Sequence, residues 1–135
     1  MGIGLELCEE YTAAALVGEE GEILGIKRIA SYQNRPQEAK ADVIELCRAL
    51  AEENFPGSGA VESIGICAPG ITPEGKLSWP GWEDVCLGKA LEEAFGCPVQ
   101  TESWAGAMLL AEAVFGAAQG DSSVILIRLD TGEGA

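Results

Sequence analysis

At 135 residues, 47% hydrophobic and 22% charged, the chain suits one globular domain and is not a disordered segment. Its 8 basic and 22 acidic residues leave a formal net charge of −14, a field that repels nucleic acid and anionic membrane surfaces. With no histidine, Ser-His and Cys-His catalysis and every His-containing metal site are excluded.

The first 30 residues read as three strands. Ile3 to Leu7 alternates, Thr12 to Val17 is a run of small β-compatible residues, and Gly18-Glu19-Glu20-Gly21 turns the chain into a third strand, Glu22 to Ala30. Two successive hairpins make a meander. Pro36 suits the first position of a helix, and Val43, Cys47, Leu50 and Ala51 give a 3.6-residue stripe over 36–54. Phe55 to Gly59 supplies the breakers. Val61 to Cys67 has the short apolar character of a buried parallel strand. Residues 68–84 form a Pro/Gly/Trp-rich loop, with a small hairpin expected around Gly75. A second helix is predicted from Val85 to Phe95, stopped by Gly96 and Pro98. Residues 98–101 follow as a strand, then a helix from an N-cap at Ser103 to Phe115, stopped by Gly116. Ser123 to Leu129 is the last predicted strand. The order β-β-β-α-β-α-β-α-β gives a mixed sheet, a three-stranded antiparallel meander continued by βαβ crossovers, with helices on both faces. That is the ribonuclease-H-like, actin-like α/β plan.

The five cysteines, Cys8, Cys47, Cys67, Cys86 and Cys97, contain no Cys-x-x-Cys pair. Structural zinc is not expected, and the apolar settings favour buried free thiols in a reducing cytoplasm. Met1 to Glu6 lacks the basic start of a secretory leader, and no apolar run approaches the ~20 residues of a membrane span. The pairs Glu9-Glu10, Glu19-Glu20 and Glu52-Glu53 read as solvated turns and helix surfaces.

Five strings in order resemble the amino-terminal domain of the ROK family of repressors and sugar kinases, including bacterial glucokinases. They are Ala13 to Val17 with Gly21 to Gly25, Ile64 to Gly70, Trp79 to Val85, Phe95 to Val99, and Ala111 to Ala118. The resemblance covers essentially the whole chain. It implies a two-domain plan in which residues 1–135 are the first actin-like domain and the second, carboxy-terminal kinase domain is expected to be absent.

The resemblance also allows each functional position to be compared. The family's first phosphate loop, Asp-x-Gly-Gly-Thr-Lys, corresponds to Glu6-Leu7-Cys8-Glu9-Glu10-Tyr11. Glu6 keeps an acid suited to Mg²⁺, while Cys8 adds a side chain and Glu9 and Glu10 add repulsive charge. The acceptor-sugar motif Glu-Asn-Asp corresponds to Glu102-Ser103-Trp104, so an indole stands at the position of the catalytic Asp. Removing a positioned base costs ~10²–10⁴-fold. The second phosphate loop, Gly-Thr-Gly-x-Gly-Gly, corresponds to Asp130 to Ala135. There Thr131, Gly132 and Gly134 match, and Asp130 and Glu133 depart. Candidate sugar contacts are therefore Glu102, Ser103, Trp79 and Trp82. Candidate phosphate or Mg²⁺ contacts are Glu6, Thr131, Gly132 and Gly134, and no catalytic or metal residue is assigned.

Several of these residues have a plain alternative. Trp104 lines a ligand pocket or interface, or is a helix-start residue packed over the sheet edge. Trp79 and Trp82 stack on a sugar or pack the loop. Glu83 and Asp84 form an acid pair or complement the positive end of the helix they precede.

The leading expectation is a ROK-like domain that has lost phosphoryl transfer, a pseudokinase acting through ligand binding or association. It is expected to be cytoplasmic, a homodimer or the companion of a second-domain protein, with a sugar-like ligand and no cofactor. The alternative is an ATP-dependent hexose or N-acylhexosamine kinase subunit completed in trans, which would use ATP and Mg²⁺. The third reading is transcriptional regulation. The family's repressors carry an amino-terminal helix-turn-helix, whereas the first strand predicted here begins at residue 3. No nucleic-acid partner and no membrane are expected.

Overall fold

The computed structural model describes residues 1–31, 35–54, 61–70, 76–79, 81–82 and 85–127. Eight elements follow in order: β1 (Gly2–Leu7), β2 (Tyr11–Val17), β3 (Ile23–Ala30), α1 (Pro36–Asn54), β4 (Ser63–Ala68), α2 (Leu87–Phe95), β5 (Val99–Ser103) and α3 (Trp104–Phe115). The strands form one five-stranded sheet in the order β3-β2-β1-β4-β5. β1–β2 and β2–β3 pair antiparallel, while β1–β4 and β4–β5 pair parallel. This is the mixed sheet that the alternation and turn signals predict.

Period-2 alternation sorts each inner strand into two faces. Ile3, Leu5 and Leu7 of β1 and Ile64, Ile66 and Ala68 of β4 are buried on one face. The α1 stripe of Ala39, Val43, Leu46, Cys47 and Leu50 lies over β2 and β3, and Leu87 and Leu91 of α2 join the same core. Helix α1 starts at Pro36, with the Ala39 N–H donating to the Arg35 carbonyl at 3.0 Å. Helix α2 ends on Gly96, whose left-handed φ of 66° needs a glycine and lets its N–H reach the Glu92 carbonyl at 2.8 Å. Helix α3 contacts β4 and β5 and brings the Phe115 ring over Gly21 in the β2–β3 turn.

Three boundaries differ from the sequence reading. Helix α2 begins at Leu87 because the Val85 N–H turns back to the Trp82 carbonyl at 3.0 Å. Strand β5 runs on to Ser103 because β4 pairs with it as far as Ala68–Ser103. The predicted last strand is not formed over 123–127, and Ile125 and Ile127 are 89% and 77% exposed. An apolar run becomes a strand only beside another strand, and the described sheet ends at β5. The hairpin expected near Gly75, and residues 128–129 of that last segment, lie outside the described residues.

Candidate functional site

Because β1, β4 and β5 are parallel, their carboxyl ends meet at one sheet edge, where α/β folds present their chemistry. The register sets Glu6 beside Cys67 and Cys67 beside Glu102, all on the face opposite the core. Two strand spacings separate the backbones of Glu6 and Glu102, about 10 Å. Glu102 is exposed. Glu6 is half-buried and accepts a hydrogen bond from the Tyr11 hydroxyl at 3.2 Å.

The β1–β2 connection is a tight turn. The Cys8 N–H donates to the Tyr11 carbonyl at 2.9 Å, so it closes the turn and is not offered outward. Cys8 is 7% exposed, and Glu9 and Glu10 project from the tip. A hydrogen bond with the Cys8 side chain, then burial, then the Glu6 charge push the Tyr11 phenol up to about 12. The Arg28 guanidinium sits over the Tyr11 ring, 4.9 Å from its centroid. The turn thus holds negative charge and an occupied amide where a phosphate cradle presents bare N–H groups.

At the β5–α3 junction, Ser103 has extended backbone (φ −63°, ψ 156°), and its hydroxyl caps the helix by accepting from the Gly106 N–H at 3.1 Å. That hydroxyl donates to Glu102 Oε1 at 3.0 Å, and the Ser103 N–H donates to the same oxygen at 2.8 Å. Glu102 is folded onto the start of α3, where a carboxylate complements the positive end of the helix. It occupies the space over Gly106: a Cβ there would overlap the Glu102 carboxylate. Trp104 is half-buried as the first residue of α3. The indole has no acid–base function, and the adjacent carboxylate is committed to the cap.

The neighbouring loop is held by Gly70, whose φ of 68° requires a glycine and whose carbonyl accepts the Ser78 N–H at 2.9 Å and the Ser78 hydroxyl. Trp79 and Trp82 meet edge-to-face, with ring centroids 5.5 Å apart. Trp82 is 2% exposed and belongs to the main core, so stacking on a sugar gives way to packing at this residue. Trp79 is half-buried against that core. Glu83, Asp84, Thr131, Gly132 and Gly134 lie outside the described residues.

The structure therefore brings Glu6, Glu102, Ser103 and Trp104 to one sheet edge, while Trp82 is buried in the core. The Ser103 N-cap stands where the sequence reading put it; what that reading missed is Glu102 folding onto the Ser103 hydroxyl and N–H. Its signal was present in the motif, where a glycine two residues beyond Trp104 leaves room for the acid two residues before it. Among the described residues no helix is long and apolar enough to cross a membrane.

A five-stranded sheet of this order, with Glu6 and Glu102 toward the carboxyl ends of β1 and β5, is that of the actin-like domain seen in ROK kinases. The ROK family model matches residues 2–135, and the chain belongs to the ROK family. It is 28% identical over 136 residues to the xylose repressor of Bacillus spizizenii, a match covering 98% of this chain and 35% of the repressor. It is 32% identical over 140 residues to the glucokinase of Thermotoga maritima, covering 98% of this chain and 42% of that enzyme. The solved ROK hexokinase of Thermus thermophilus superposes with a TM-score of 0.74 at 29% identity, over 88% of this chain and 40% of that one. The chain spans well under half the length of these relatives. The repressor among them stands against the expectation that nucleic acid has no place in this protein's function, which rested on charge and on where the first strand begins.

Proposed function

We propose that this ROK sugar-kinase-like domain has lost phosphoryl transfer and works as a sugar-binding module that associates with a second domain. The observation that carries this reading is the β5–α3 junction. There the first helical residue is Trp104, which the motif resemblance sets at the family's base position, and Glu102 is tied to Ser103 by two hydrogen bonds. The β1–β2 turn points the same way. Glu9 and Glu10 would each oppose a phosphate by on the order of a kcal/mol even when solvated. The turn residues do not fit a triphosphate, and no step is assigned to ATP or Mg²⁺ here.

Thermal-shift titration tests the proposal, since a ligand bound only by the native state raises the melting temperature. Hexoses or N-acylated hexosamines are expected to raise it, and ATP with Mg²⁺ to leave it unchanged. A nucleotide-dependent rise without a sugar-dependent one would overturn the proposal.

A second reading, a kinase subunit completed in trans, is favoured by one feature. Glu102 is an exposed carboxylate at the same junction, on the same sheet face as Glu6. It requires sugar phosphorylation by the reconstituted pair to fall by ~10²-fold or more in Glu102→Gln.

A further inference from the structure

Among the described residues no strand lies beyond β3 in the order β3-β2-β1-β4-β5, so β3 is a free edge. The alternation of an antiparallel ladder decides which of its backbone groups are already used. The Cys8 N–H bonds to the Tyr11 carbonyl opposite it, so the odd-numbered residues of β2 turn toward β1. The Ser31 N–H bonds to the Glu10 carbonyl opposite it, which makes Thr12–Ile29 and Ala14–Lys27 the bonded pairs on the other side of β2. The N–H and C=O groups of Ile26, Arg28 and Ala30 therefore point away from the sheet. Proteins guard such edges with lysine and other charges, with proline or with bulges. Here the guards are drawn aside. Lys27 is ion-paired with Glu53 of α1, and the Arg28 guanidinium lies over the Tyr11 ring. The bulge sits opposite the amino end of β3, beside Leu16 and Val17, and Ile23–Ala30 contains no proline. Ile23, Leu24 and Ile26 stand 61%, 41% and 54% exposed along this strand.

The order of charges says what fits the edge. Glu19, Glu20 and Glu22 lead into β3, and Lys27 and Arg28 lie in its second half. An antiparallel copy sets the acidic entry of each strand beside the basic half of the other, whereas a parallel copy sets like charge on like. We propose that the partner of this edge is a second copy of the chain, β3 pairing with β3 antiparallel about a two-fold axis at Ile26, so that the two sheets become one. Ile26 then faces Ile26, Leu24 faces Arg28, and Lys27 faces Gly25, which has no side chain to obstruct it. The partner's Ile23 comes opposite Ile29, which with Leu46 and Ala49 lines an open groove of about 430 Å³ between β3 and α1. An axis at Arg28 would set guanidinium against guanidinium, so charge selects the register as well as the direction. The contact is self-complementary and closes as a dimer. The net charge of −14 on each copy opposes it, but beyond about 8 Å that repulsion is screened at physiological salt, while the edge contacts lie within that distance. Strand β3 and the β5–α3 junction are at opposite sides of the sheet, so the dimer goes beyond the sugar-binding reading and does not depend on it.

Sedimentation velocity of the chain at tens of micromolar and 0.15 M salt tests the edge, with thermal melting to show that each variant is folded. The unaltered chain is expected to be dimeric. Ile26→Lys sets two ammonium groups at the axis and should weaken the dimer by at least about tenfold. Ile26→Pro removes an outward N–H that no bond within the chain uses, and should do the same. Arg28→Glu should weaken it too, and adding Glu22→Lys should restore it by exchanging the signs. Val114→Lys, on the exposed side of α3, should leave it unchanged. A monomer at these concentrations overturns the proposal. So does a dimer that survives both Ile26 variants, or one that Val114→Lys dissolves, which would place the contact on α3. Failure of Glu22→Lys to rescue Arg28→Glu overturns the antiparallel register. Loss of sugar binding with the dimer intact counts against the sugar-binding role alone.

Discussion

The two faces of the sheet are built from the same strands and have opposite fates. In β1, Ile3, Leu5 and Leu7 are each at most 2% exposed beneath α1 and α2, while the alternating residues Gly2, Gly4 and Glu6 look out on open space or half-buried surface. The core face is complete within the described residues. On the other face α3 buries no residue fully although it is almost wholly apolar. A strand's alternation encodes two surfaces, and only one of them has to be satisfied by the chain that carries it.

The comparison breaks most visibly on the core side. Trp82→Ala empties a fully buried site joined to Trp79 and is expected to cost roughly 3–5 kcal/mol in urea unfolding. Leu5→Ala should cost roughly 2–5 kcal/mol for the same reason, whereas its chain neighbour Gly4→Ala should stabilise the isolated chain by roughly 0.5–1 kcal/mol. Opposite signs at adjacent residues sharpen the contrast, and a loss of stability in Gly4→Ala would erase it. Ser103→Ala removes the α3 cap and should cost about 1 kcal/mol.

Two smaller effects read the local environments. The Tyr11 phenol is raised from 10.0 to about 12, so the folded state favours its protonated form. Its contribution is complete below pH 10 and is lost as pH rises from 10 toward 12. Tyr11→Phe should flatten stability over that window and leave neutral pH unaffected by titration. Burial pushes the Cys47 thiol up to about 12, and burial followed by the Glu92 charge raises Cys97. Alkylation at pH 8 should therefore label exposed Cys86 first and reach Cys47 only on unfolding. Early labelling of Cys47 would mean that the core face opens as readily as the bare one.

Much of this fold was legible because period and breakers are local signals. The α1 stripe through Val43 and Leu50, the Gly96 stop and the Ser103 cap all stand where residue type alone places them. The actin-like order followed from the succession of elements. What was not legible depends on partners remote in sequence. Val124 to Ile127 has the composition of a strand, but pairing decides whether it becomes one. Trp82 reads as a loop aromatic until the fold places it in the core beside Leu77 and Val85. At the site, the motif resemblance read from the sequence singles out Trp104, while the folding of Glu102 onto Ser103 depends on side-chain geometry.

The proposed loss of phosphoryl transfer is tested most directly by a coupled assay of the chain with ATP, Mg²⁺ and a panel of hexoses and N-acylated hexosamines. It should be run alone and with the remainder of the Thermotoga maritima glucokinase added. The expected result is no turnover above the enzyme-free rate in either case. Sugar-dependent turnover that disappears in Glu102→Gln would contradict it, because a carboxylate at this junction would then be serving as the proton acceptor that Trp104 cannot be.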